Sequence, residues 1–370
     1  MADKKIKIAF IVPSLQNGGA ERMVAALSNF FSKKFEVVII CLLEKEIFYK
    51  ISDDIEIHYA REASPSQNSF SAIFNNFITV RNILKIVRQK RIHILIGFTT
   101  QTNVLSIISS ILAKIPCVIS ERNNSKVNPP NIFWLSLRNF FYRFSFRLVV
   151  QTEGNLKIFS EIMPITKIQV IENAIAESLE FKMRSKRKLS KVIKILTVGR
   201  LNPNKAHEIS LTALSNLLDY EWNFTIVGDG PSKTDLMIKS KILGIEDRVK
   251  FTGSIKNVED YYKDSDIFIF TSKSEGFPNA LMEAYYFGVP CISTNCDYGP
   301  SEIITDGVDG YLIPINDHVE LQNKLKILLS QTKTRQNISK AASGKASRFK
   351  MSNIAMQWDK LIHSALNTNS

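Results

Sequence analysis

The chain is 370 residues long, 45% hydrophobic and 22% charged, with 48 Lys and Arg against 35 Asp and Glu, a net charge of +13. That length accommodates two domains of ordinary size, and the composition is that of a soluble globular protein. No segment reaches the roughly 18–20 uncharged apolar residues that span a bilayer, and the four cysteines (Cys41, Cys117, Cys291, Cys296) form no C-x-x-C pair, which argues for buried thiols and against a metal site.

Met1 to Lys5 runs directly into an apolar strand, Ile6–Pro13, without the apolar core and cleavage site of a signal peptide, so a cytoplasmic chain is expected. Asn17-Gly18-Gly19-Ala20-Glu21-Arg22 then opens a helix predicted over Ala20–Phe31. Glycines there let backbone approach a ligand and a helix start presents amides to an anion, though turns use a Gly-Gly pair routinely and the G-x-G-x-x-G fingerprint is absent. Strands are predicted at Val37–Leu43, Ile92–Phe98, Pro116–Ser120, Leu148–Gln151 and Ile168–Ile171, with helices at Ser71–Gln89 and Val104–Ala113 between them. This alternation predicts a parallel, doubly wound sheet.

Asn131 to Val150 carries Trp134, Phe140, Phe141, Tyr142, Phe144 and Phe146 with Arg138, Arg143 and Arg147 and no acid. Aromatics with arginines suit a lipid interface; the plainer alternative is a core helix leading into a strand. Between Lys182 and Lys194 stand seven basic residues and no acidic one. Such clustering points to an anionic partner, whether a phosphorylated substrate or a membrane surface; no nucleic-acid-binding motif accompanies it.

After that basic stretch the alternation restarts at Ile193–Arg200, with strands predicted at Phe224–Val227, Val249–Phe251, Ile267–Phe270, Pro290–Ser293 and Gly310–Ile313. Arg200 at a strand's carboxyl end and Lys205 in its loop can converge on a diphosphate, one by its planar fork and one as a point charge; surface salt bridging is the alternative. Gly228 and Ile255 end neighbouring strands on the same edge, as turns or as donor-side backbone. Asp264-Ser265-Asp266 has a D-x-D spelling but precedes its strand, so no metal is expected there. Ser274-Glu275-Gly276-Phe277-Pro278-Asn279-Ala280-Leu281-Met282-Glu283 sets one acid in a Gly/Pro loop and a second inside the helix predicted to follow. The loop acid sits where ligands of α/β sheets collect, and the helix start between the acids favours a phosphate. Cys296 to Ile303 ends the next strand and can shape the same pocket.

The expected organisation is an acceptor-side Rossmann-like domain at 1–176, a basic linker at 177–191, a nucleotide-sugar-binding Rossmann-like domain at 192–352, and a terminal helix at 353–370 able to cross back onto the first domain.

Together, Gly18-Gly19-Ala20-Glu21-Arg22, Gly199-Arg200 with Lys205, and the E-x7-E pair around Gly276-Phe277-Pro278-Asn279 resemble the retaining glycosyltransferases of family 4, which have the two-Rossmann GT-B fold. The resemblance implies an α/β chain of two doubly wound domains facing across a cleft. It implies that Arg200 and Lys205 hold the donor diphosphate, assisted by amides from Gly19 and from Asn279, Ala280 and Leu281, with Gly18 also on the donor side. Glu275 would contact the donor sugar and Glu283 the ribose, with no metal and no cofactor. The expected partners are a nucleotide-sugar donor, UDP foremost, a lipid-linked or lipopolysaccharide-type glycan acceptor, and an anionic membrane at the inner face; nucleic acid is not among them, and the oligomeric state is left open. One departure is a missing His: where many members carry it, this chain reads Ser120-Glu121-Arg122-Asn123, so Glu121 or Arg122 is placed on the acceptor or sugar side. Trp134, Arg138, Arg143 and Arg147 are placed at the membrane. The rival readings are a nucleotide-sugar 2-epimerase or hydrolase on the same fold, and a non-catalytic basic binding protein.

Overall fold

The computed structural model describes residues 5–61, 69–122, 129–175, 191–255 and 257–368. The predicted linker, apart from Lys191, and Asn123 lie outside them. The chain forms two compact units, Met1–Ala174 with Met351–Ser370, and Ile175–Lys350.

In the first unit the strands are β1 (Lys7–Val12), β2 (Glu36–Leu43), β3 (Glu56–Arg61), β4 (Ile94–Phe98), β5 (Cys117–Ser120), β6 (Arg147–Val150) and β7 (Ile168–Val170). They make one sheet in the order β3-β2-β1-β4-β5-β6-β7, parallel at every pairing. Near-continuous apolar strands such as Ile8–Val12 belong in such a sheet because helices cover both faces. Alternate residues of β1 serve the two faces: Ile8, Phe10 and Val12 pack with the Gly19–Phe31 and Met351–Asn367 helices, while Ala9 and Ile11 pack with Val80, Ile83, Val104 and Ile107. In the terminal helix Met351, Ile354, Ala355, Trp358, Leu361, Ile362 and Ala365 recur at helical spacing and are all buried.

In the second unit β8 (Ile193–Val198), β9 (Trp222–Val227), β10 (Val249–Gly253), β11 (Ile267–Phe270), β12 (Cys291–Thr294) and β13 (Tyr311–Ile313) form a second parallel sheet, ordered β10-β9-β8-β11-β12-β13. Each order reverses once, between β1 and β4 and between β8 and β11. A crevice opens where neighbouring loops leave in opposite directions, and doubly wound sheets in general hold ligands at such reversals.

The expected α/β, doubly wound class is what forms. Strand β3 is a departure from the sequence reading. Its sequence, Glu56-Ile57-His58-Tyr59-Ala60-Arg61, has no apolar run because it lies at the sheet's edge, where only β2 pairs with it.

Candidate active site

The reversal of the second sheet is built by the loops after β8 and β11, and hydrogen bonds to their backbone sew them together. Asn202 caps the short turn Pro203–Lys205, its Oδ1 accepting the Lys205 N–H at 3.2 Å. The Asn204 side chain donates to the Ser274 carbonyl at 2.8 Å, the Lys273 N–H to the Asn204 carbonyl at 2.8 Å, and the Thr271 hydroxyl to the Lys205 carbonyl at 2.8 Å. Held this way, Lys205 Nζ stands 2.5 Å from Glu275 Oε1 and 5.2 Å from the Phe270 ring centroid. Both side chains of the ion pair are largely shielded, 20% and 13% exposed. Arg200, by contrast, is exposed at the end of β8. Sequence separation hid this contact: residues 205 and 275 were expected to share a ligand, and the structure makes them partners.

Three glycines bring the neighbouring strand ends close. Gly199 N–H bonds the Val227 carbonyl at 3.0 Å and Gly228 N–H the Gly253 carbonyl at 2.9 Å. Gly228 has φ +140°, and a β-carbon there would sit 1.9 Å from the Gly199 oxygen. Ile255 packs partly buried against the core beside β11.

Beyond Glu275, Phe277 and Pro278 are buried and the helix Asn279–Tyr286 begins. The Asn279 N–H turns back to the Phe277 carbonyl and the Met282 N–H to Pro278, each at 3.0 Å. The Asn279 amide thus closes the turn, and Ala280 and Leu281 follow it in the first turn of the helix. Glu283 is buried and accepts the Tyr262 hydroxyl at 2.9 Å, while Tyr262 stacks on Phe287 with centroids 5.7 Å apart. The loop after β12 closes against the same turn, since a β-carbon on Gly299 would fall 2.3 Å from Pro278 Cδ. Burial, with Glu275 adding negative charge, pushes the Cys296 thiol up to about 12. Tyr262, Thr271 and Asn204 escaped the sequence reading because each acts through a partner distant in the chain. Asp264 and Asp266 are held by Lys194, Asp264 through its ammonium at 2.6 Å and Asp266 through its backbone N–H at 2.8 Å.

The first unit carries a second group of the predicted residues. Gly18 caps the Gly19–Phe31 helix, its N–H 3.2 Å from the Tyr49 hydroxyl, and Gly19 is exposed. The Glu21 carboxylate folds back over this helix start, where a β-carbon on Gly18 would lie 2.1 Å from Glu21 Oε2, and burial raises its pKa. Thr99, at the end of β4, has φ +76°, a strained conformation for a β-branched residue.

Glu121 and Arg122 end β5 and diverge. Glu121 Oε1 accepts the Thr100 hydroxyl at 2.8 Å and the Tyr142 hydroxyl, which itself accepts from Asn103 at 3.0 Å. Burial raises the Glu121 pKa against these hydrogen bonds and the charge of Arg138. Arg122 points to the other face, onto Phe98 and Trp358.

Arg138 overturns its expected place at the membrane. It is 6% exposed, with its guanidinium 5.3 Å from the Phe159 ring, and its charge acts against the burial that raises the Glu121 pKa. Arg147 is half-buried and donates to the Thr166 carbonyl, and Trp134 packs partly buried on the core. The surface of this segment is instead Ile132, Phe133, Phe140, Phe144 and Arg143. Among the described residues no helix is long and apolar enough to cross a membrane.

Comparison with known proteins agrees with this architecture. The family described as Glycosyl transferases group 1 matches residues 179–345, and Glycosyltransferase Family 4 matches residues 17–179. In Campylobacter jejuni, the protein named GalNAc-alpha-(1->4)-GalNAc-alpha-(1->3)-diNAcBac-PP-undecaprenol alpha-1,4-N-acetyl-D-galactosaminyltransferase is 31% identical over 362 residues, covering 96% of this chain and 98% of that one. A second protein of that organism, an N-acetylgalactosamine-N,N'-diacetylbacillosaminyl-diphospho-undecaprenol 4-alpha-N-acetylgalactosaminyltransferase, is 28% identical over 94% of this chain and 97% of its own. The crystal structure of Anabaena Alr3699/HepE in complex with UDP superposes with a TM-score of 0.81 at 20% identity, covering 97% of this chain and all of that one.

Two doubly wound parallel sheets of this kind, with these relatives, define a sugar-transferring enzyme of GT-B fold. The chain belongs to the group 1 glycosyltransferases of family 4.

Proposed function

We propose that the protein is a retaining glycosyltransferase that moves a hexose or N-acetylhexosamine from a UDP-sugar to a lipid-linked or lipopolysaccharide-type glycan at the cytoplasmic face of the membrane. The observation that carries this reading is the shielded Lys205–Glu275 pair at the reversal of the second sheet. An arriving diphosphate takes the ammonium, and the sugar's hydroxyls donate to the carboxylate so released. Departure of the nucleotide diphosphate then builds negative charge beside Lys205 and Arg200, and preorganised cations lower that barrier without a metal ion. Glu283, oriented by Tyr262, takes the ribose hydroxyls, and the Ala280 and Leu281 amides face the phosphates.

The acceptor class is supported by the undecaprenol-linked substrates in the names of the Campylobacter relatives and of an Escherichia coli UDP-Gal:alpha-D-GlcNAc-diphosphoundecaprenol alpha-1,3-galactosyltransferase. The UDP donor is supported by that last name and by the UDP bound in the Anabaena neighbour. The membrane is met by exposed Ile132, Phe133, Phe140 and Phe144 with Arg143.

Turnover of a panel of UDP-sugars with a lipid-diphosphate glycan, followed by mass spectrometry, tests the reading. Arg200→Ala and Glu275→Ala are each expected to lower kcat about 10²–10³-fold. Near-wild-type rates in both would remove the assignment.

A further inference from the structure

Arg122 is 7% exposed, yet its guanidinium is only partly satisfied. Nη1 donates to Asn173 Oδ1 at 2.5 Å, while Nε and Nη2 have no hydrogen-bond partner among the described residues. Those two atoms form one lateral edge of the planar group, whose parallel N–H bonds match the two oxygens of a phosphoryl or carboxylate group. The plane itself is fixed: Cζ lies 5.0 Å from the Phe98 centroid and 5.9 Å from Trp358, and the two rings stack 5.8 Å apart.

The surroundings share the same deficit. Val118 of β5 and Val149 of β6 pack in the core that holds Trp358, so strand alternation puts Arg122 and Gln151 on that side too. Among the described residues Trp358 Nε1 is a further buried donor without an acceptor, and Gln151 Oε1 is buried without a donor. Burial lowers the Arg122 pKa to about 9, so the group stays cationic at neutral pH. A buried cation with unmade hydrogen bonds is costly unless a ligand completes it.

We propose that Arg122, held by Asn173, Phe98 and Trp358, is an oxyanion subsite at the carboxyl edge of the first sheet, taking a phosphoryl or carboxylate group carried by the acceptor. The acceptor part of this assignment rests on the transferase reading above; the anion site itself does not.

The site is tested without catalysis by melting the full chain with inorganic pyrophosphate in an Arg200→Ala, Lys205→Ala background, where the donor-side cations are gone. Pyrophosphate should raise Tm, and adding Arg122→Gln should abolish the shift. A shift that is absent, or that survives Arg122→Gln, overturns the subsite. Arg122→Lys, which keeps the charge but not the fork, should retain only part of the shift and covers the case in which Arg122→Gln does not fold. The source of the anion is read from Arg122→Gln in the otherwise native enzyme, at saturating UDP-sugar. A rise in acceptor KM of about tenfold or more confined to a diphosphate-linked glycan assigns a phosphoryl group; the same rise confined to a uronate-bearing glycan assigns a carboxylate. An unchanged KM for both overturns the acceptor assignment while leaving the donor-site reading to its own variants.

Discussion

Gly228 shows how little room the strand ends of the second sheet allow. Its positive φ and its approach to the Gly199 oxygen both exclude a β-carbon. Gly228→Ala is therefore expected to destabilise the second unit by about 2–4 kcal/mol, read as a lowered urea midpoint, with UDP affinity falling as Gly199 and Arg200 are displaced. Arg200, Lys205 and Glu275 stood out in the sequence because each lies in a loop that follows an apolar strand, and strand ends of a doubly wound sheet are where ligands gather. The Lys205–Glu275 contact was not legible, since 70 residues separate the two. Arg138 misled for a related reason. Its neighbours Phe140 and Phe144 are exposed as an interfacial segment requires, but Arg138 itself is buried, with its guanidinium against Phe159, which is distant in the chain.

The helix His207–Ser215 joins local conformation to the site. Ala206, fully buried with φ +48°, turns the chain from the Lys205 loop into this helix, and the adjacent His207 is buried with it. Burial, reinforced by the charge of Lys205, lowers the His207 pKa to about 4. The unfolded chain, with an ordinary imidazole near 6.5, binds the extra proton first as pH falls. Stability from this group is thus full above about pH 6.5 and is lost as pH drops towards 4. Between pH 7 and pH 5 the loss is at most about 2 kcal/mol, and His207→Gln should flatten that segment of a urea-midpoint-against-pH curve. Helices and central strands were readable from periodicity, whereas β3 and the left-handed turn at Ala206 were not. The first is a polar edge strand fixed by β2, and the second is a non-glycine residue held by tertiary packing.

At the scale of the whole molecule, the second unit is continuous in sequence and the first is not. The Met351–Asn367 helix contributes Met351, Ile354, Trp358, Leu361 and Ile362 to the first unit's core. At about 1.5–3 kcal/mol for each buried side chain, their loss approaches the total stability of a typical domain. A chain ending at Lys350 is expected to lose the first unit's calorimetric transition and to keep the second's, where Ile175 and Phe349 close the unit with a 2.8 Å backbone bond. The same connectivity sets an order of assembly during synthesis. Domains ordinarily fold as they leave the ribosome, earliest first. Here the later unit has all its strands once Lys350 has emerged, while the earlier one waits for Trp358 to close over Phe98. The half of the enzyme translated first is finished last, with its apolar sheet face uncovered while the other half is made.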